Sequence, residues 1–77
     1  MDIKQKCVEV FVEVMSVDPG AINDETSPET LEEWDSLSHV QLILGLEKGF
    51  GIEIAPDEGI ELEDFKMVCE FIGGKLH

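Results

Sequence analysis

Three stretches of this chain set apolar residues three and four positions apart, the spacing of one face of a helix. In the first, Ile3, Cys7, Val10, Phe11, Val14 and Met15 share that face, while Lys4, Glu9 and Glu13 fall elsewhere. The valines lean toward a strand, but the period and length over Asp2 to about Ser16 favour a helix. Asp2 caps it and Pro19-Gly20 ends it. The second helix is expected from Ser36 to about Phe50, with Leu37, Val40 and Leu44 as its stripe, joined by Ile43, Leu46 and Phe50. Asp35 or Ser36 can cap its first amides. Gly45 and Gly49 weaken it by about 1 kcal/mol each relative to alanine if they are interior, and Gly49 and Gly51 mark its end. The third runs from about Glu63 to Leu76, with Phe65, Val68, Cys69, Ile72 and Leu76 on one face and Gly73-Gly74 fraying the last turn.

The intervening segments read differently. Val17 to Asp35 carries Pro19, Gly20, Asn23, Asp24, Thr26, Ser27, Pro28 and Thr30, all turn formers. So long a connection in so small a chain is functional or is tied down by its own side chains. Ile22, Leu31 and Trp34 are the anchors it offers. Ile52-Glu53-Ile54-Ala55-Pro56 alternates like a strand but has no partner strand, so an extended connector dropping Ile52 or Ile54 into the core fits better. Asp57 to Leu62 has room for one short helical turn. The fold class is therefore all-α, over one domain spanning 1–77: a small antiparallel bundle of three main helices plus a short extra helix. The long first connection crosses the bundle so that the second helix returns antiparallel to the first.

Charge narrows the function. Eighteen acidic against five basic residues leave a formal net charge of −13. Nucleic-acid binding needs the opposite sign, and an anionic membrane repels such a surface. Proteins with basic patches are the natural partners, meeting the chain in fast, salt-sensitive encounters. Self-repulsion is the cost, so added salt or a divalent cation is expected to raise the melting temperature, and melting indifferent to both would count against a strongly anionic folded surface. No secretory signal or membrane-spanning stretch is visible, which points to the cytoplasm. Cys7 and Cys69 are read either as one bridge between helices or, preferably, as two reduced, partly buried thiols.

No catalytic set stands out. Ser36 and His39 lie three apart, but a nucleophilic serine needs an oriented base and a strained turn of the Gly-x-Ser-x-Gly kind. His39 is read instead as facing solvent or flanking a partner surface. Cys7, Cys69, His39 and His77 have no zinc spacing, and Asp57, Glu58, Glu61, Glu63 and Asp64 lack the alternation and central glycine of a calcium loop. No metal site is expected and the chain is not expected to be an enzyme. By local sequence alone, Ser36 is an N-cap. A serine at a helix start also exposes its hydroxyl where an attached phosphate would be favoured.

The stretch from Trp34-Asp35-Ser36-Leu37 through Val40, Gln41, Leu44 and Leu46-Glu47-Lys48-Gly49-Phe50 to Gly51-Ile52-Glu53-Ile54 resembles the central segment of acyl carrier proteins. That family sets an Asp-Ser-Leu triplet at the start of its second helix and closes that helix with Leu-Glu-x-x-Phe. Length, acidity, helix order and the long first loop agree more loosely over nearly the whole chain. The resemblance implies a 4′-phosphopantetheine cofactor attached to Ser36 by a phosphopantetheinyl transferase, with an acyl group carried on it as a thioester. Asp35 would help to position the transferase. Leu37, Val40, Gln41 and Glu47 would meet acyl-loading and acyl-transferring enzymes through their basic patches. Val40, Leu44, Phe50, Ile54, Ile60 and Leu62 would form a core that also shelters an acyl chain, and the protein would act as a monomer. Gln41, Lys48 and Gly49 stand where the family often has acids, and His39 and Gly45 are unusual, which favours a specialised lipid or secondary-metabolite pathway. An aminoacyl or peptidyl carrier and an unmodified acidic interaction module are the alternatives.

Overall fold

The computed structural model describes residues 2–76, so His77 lies outside the described residues. Among the described residues four helices follow one another, α1 (Ile3–Met15), α2 (Ser36–Phe50), α3 (Pro56–Gly59) and α4 (Phe65–Leu76), with a 3-10 turn at Pro19–Ala21. Among the described residues there is no strand, and the segment from Ile52 to Ala55 is an irregular connector that buries Ile54. No helix among them is long and apolar enough to cross a membrane.

Local chemistry sets the ends of these helices. The Asp2 carboxylate accepts from the Gln5 N–H at 3.2 Å and opens α1. Ser16, at φ 55°, turns the chain out of it, its N–H donating to the Val12 carbonyl. Gly51, at φ 67°, does the same for α2. Asp64 accepts from the Met67 N–H at 2.7 Å and so caps α4. As expected, α4 runs through Gly73 and Gly74 to Leu76, but the Leu76 side chain is exposed and not on the buried face.

Contacts along α1 give the directions of its neighbours. Gly45 of α2 faces Val10 and Val14, and Gly49 faces Val10 and Lys6, so α2 runs antiparallel to α1. A Cβ on Gly45 would meet Val10 and Val14 side chains at 3.1 and 3.2 Å, so the missing side chain is what allows this approach. Ile3 lies near Gly73, and Phe11 meets Phe65 edge-on at 5.2 Å, so α4 is antiparallel to α1 as well. Gly45 stands nine residues into a helix rising about 1.5 Å per residue. The start of α2, with Ser36, therefore projects beyond the end of α1.

The core is mainly aliphatic, with Phe11, Trp34 and Phe65 at its centre and Leu42, Leu46, Val68 and Ile72 fully buried around them. Ile22, Leu31 and Trp34 do anchor the first connection. The face of α2 differs from expectation. Leu42 and Leu46 are its buried residues, whereas Leu37, Val40 and Leu44 are 68%, 58% and 59% exposed. Those three therefore belong to the surface and not to the core.

Candidate functional site

At the start of α2, Asp35 is the cap. Its backbone is extended and its Oδ1 accepts from the Ser38 N–H at 2.9 Å. That hydrogen bond, first among several, holds the Asp35 carboxyl below its ordinary range, with help from the Ser38 hydroxyl and the Leu37 N–H and against a small burial effect. Capping by Asp35 relieves Ser36 of that task. Ser36 is the first residue of the helix proper, and it is exposed.

Beside Ser36 lies an open groove of about 1010 Å³. Trp34, Asp35, Ser36 and His39 line it together with Ile60 and Leu62 from the segment after α3, and the carboxylates of Glu29, Glu32 and Glu63 border it too. Ile60 is 71% exposed, whereas Leu62 is buried.

Behind the groove stands an arrangement that sequence reasoning missed. The Trp34 indole Nε1–H donates to His39 Nδ1 at 2.9 Å, and the two rings stack with centroids 6.0 Å apart. An indole N–H only donates, so Nδ1 must carry a lone pair. The proton of the neutral ring then sits on Nε2, which donates to the Gly59 carbonyl at 2.8 Å. His39 is thus half-buried and bonded at both ends, not free in solvent. The chain's one tryptophan offered a signal, because a buried indole needs an acceptor. Trp34, 1% exposed, also meets Phe11 edge-on at 5.0 Å, tying the bridge to the core.

Other expected site residues are dispersed. Leu37, Val40 and Gln41 are exposed along α2. Glu47 is not a free surface acid: its Oε2 accepts from the Ile54 N–H at 2.9 Å and holds the connector against the end of α2. The six residues expected to line an interior acyl pocket do not share an interior. Val40, Leu44 and Ile60 face outward, Phe50 is half-buried, and only Ile54 and Leu62 are buried.

No protein-family model matches the chain. Individual proteins do. It is 35% identical to an acyl carrier protein of Thermosynechococcus vestitus over 97% of its own length and 93% of the relative's. Identity is 38% to an acyl carrier protein of Campylobacter hominis, covering 94% of this chain and 91% of that one. A third, from Rubrobacter xylanophilus, is 42% identical over 92% of this chain and 88% of its own. With near full-length similarity on both sides, the chain belongs to the acyl carrier protein family, whose members are carriers and not enzymes.

Proposed function

We propose that this chain carries acyl groups on a 4′-phosphopantetheine arm joined to the Ser36 hydroxyl, in the cytoplasm and as a monomer. The observation that carries the reading is the division of labour at the start of α2. Asp35 caps the helix, and Ser36 stands next to it, exposed and free of that duty. A phosphodiester on Ser36 would lie in the favourable field of a 15-residue helix's N-terminus. These residues fit the group: the hydroxyl is open to a transferase, and the adjoining groove has space for an arm. When bound, the group supplies a terminal thiol that holds an acyl group as a thioester.

The chain's own residues hold and present that attachment. Asp35 keeps the first turn of α2 formed and its carboxylate charged, which suits a role in positioning the transferase. Leu37, Val40, Gln41 and Leu44 form an exposed, largely apolar strip following Ser36. We assign it to contact with loading and transferring enzymes, whose basic patches would meet the surrounding carboxylates. Gln41 and the exposed Lys48 make α2 less acidic than the chain as a whole, which favours enzymes of a specialised lipid or secondary-metabolite pathway.

The test is the intact mass of the protein after incubation with coenzyme A and a broad-specificity phosphopantetheinyl transferase. A gain of one phosphopantetheine, abolished in Ser36→Ala, is the expected result. An unaltered mass for the folded wild-type protein overturns the reading.

A further inference from the structure

We infer that Cys7 and Cys69 are a redox pair: a small disulfide oxidises the two thiols to one intramolecular bridge that staples α1 to α4. This goes beyond the carrier reading and does not depend on an arm at Ser36.

The register of the two helices brings the thiols together. Ile3 lies against Gly73, where a Cβ would meet its Cδ1 at 3.9 Å, and Phe11 meets Phe65 with ring centroids 5.2 Å apart. Cys7 stands four residues from both Ile3 and Phe11, and Cys69 four from both Phe65 and Gly73. Residues four apart share a helix face, so on antiparallel helices Cys7 and Cys69 form the rung between those two contacts. The thiols also act on each other. Pairing is the foremost cause that pushes Cys7 up and lowers Cys69, the latter against burial and helped by Lys4. Access differs as well: Cys69 is half-buried and Cys7 fully buried, so a reagent in solvent meets Cys69 first.

The chemistry follows that order. The Cys69 thiolate attacks one sulfur of the small disulfide and expels a thiolate, which takes up the proton that Cys69 released. The Cys7 sulfur then attacks the Cys69 sulfur of this mixed disulfide, and its proton leaves with the second small thiol. Two protein thiols and one small disulfide thus become one protein disulfide and two small thiols. The raised Cys7 thiol makes the second step the slower one, and its place at the rung replaces access from solvent. The finished bridge closes a loop holding the first connection, α2 and α3, which restricts the unfolded chain. Cys7 precedes the end of α1 by eight residues, about 12 Å along the helix. Ser36 projects beyond that end, so the bridge leaves the start of α2 untouched.

The experiment treats the full chain with oxidised glutathione and follows intact mass, peptide maps and thermal melting. A glutathione adduct on Cys69 should appear first and decay into a monomer lighter by two hydrogens, with Cys7 and Cys69 joined in the peptide map. That form should melt more than about 10 °C above the reduced one, and dithiothreitol should reverse both changes. Cys69→Ser should take up no glutathione while folded. Ser36→Ala should oxidise as the wild type does, which separates this result from the fate of the carrier reading. An adduct on Cys69 that persists, a disulfide between two chains, or a chain that stays reduced overturns the pair. A bridge that forms without raising the melting temperature overturns the staple.

Discussion

The backbone N–H of Phe65 donates to the carbonyl of Thr26 at 2.8 Å, and Lys66 donates to Asp24 at 3.3 Å. Two amides at the start of α4 are thus satisfied by the first connection, which is how a segment rich in turn formers comes to be part of the bundle. Thr26 is the one buried polar residue recorded among those described, at 4% exposure. Its Oγ1 accepts from the Asn23 N–H at 2.9 Å and donates to the Ala21 carbonyl at 3.2 Å. Thr26→Val keeps the shape and strands both partners, so it should cost about 1–3 kcal/mol. Thermal melting should fall by roughly 4–8 °C for each kcal/mol, with Thr26→Ser recovering most of the loss. Equal melting of the two variants would show that the hydroxyl contributes nothing.

Two carboxylates, Asp35 and Glu58, make stability depend on pH. Asp35 is held below its ordinary range chiefly by the Ser38 N–H, and Glu58 chiefly by the Ala55 N–H, then by Lys75 at 3.1 Å. A carboxyl lowered in the folded state binds protons more weakly there than when unfolded. Its contribution is therefore present above the ordinary carboxylate range, near pH 4, and is lost as pH falls through the lowered folded values. Asp35→Asn keeps a good cap and Glu58→Gln keeps the side-chain length. Wild type should melt above each variant at pH 7, and the gap should narrow on acidification to about pH 3. A gap that stays constant over that range contradicts the assignment. Comparing variants removes the separate effect of discharging the other acidic residues.

Glycines at two helix ends should respond in opposite directions. Gly51 has φ 67°, where a Cβ is strained, so Gly51→Ala should destabilise by about 1 kcal/mol although nothing lies within 4 Å. Gly74 sits in the last turns of α4 with open space around it. There alanine relieves the entropic cost of glycine, and Gly74→Ala should stabilise by about 0.5–1 kcal/mol. Chemical denaturation of both variants measures the signs directly.

The two cysteines should differ in reactivity. Both are free, Cys7 fully buried on α1 and Cys69 half-buried on α4. Pairing with the Cys69 thiol, followed by burial, pushes the Cys7 thiol up, while the same pairing lowers Cys69 against its own burial. Iodoacetamide should therefore modify Cys69 in the native protein and reach Cys7 only after denaturation. Peptide mapping that finds Cys7 labelled first reverses the order.

The ends of the helices were legible because they are decided locally. Asp2 and Asp35 each stand before an apolar period, Gly51 stands after one, and the bounds of α1 and α2 follow from cap and period alone. The triplet at residues 35–37 is equally local, and it is enough to put Ser36 at the start of a helix. Which face of α2 turns inward was not legible. Leu37, Val40, Leu42, Ile43, Leu44 and Leu46 surround that helix with apolar side chains, so its period favours no single direction. Gly45 seated against Val10 and Val14 makes the choice, burying Leu42 and Leu46 and leaving Leu37, Val40 and Leu44 outside. The destiny of His39 is tertiary in the same sense. Trp34 lies five residues before it and Gly59 twenty after it, and only the folded chain brings a donor and an acceptor to its two nitrogens. Residue order along one segment determines how that segment coils; rotation about its axis, and the partners of a half-buried ring, depend on distant residues that meet only when the core closes.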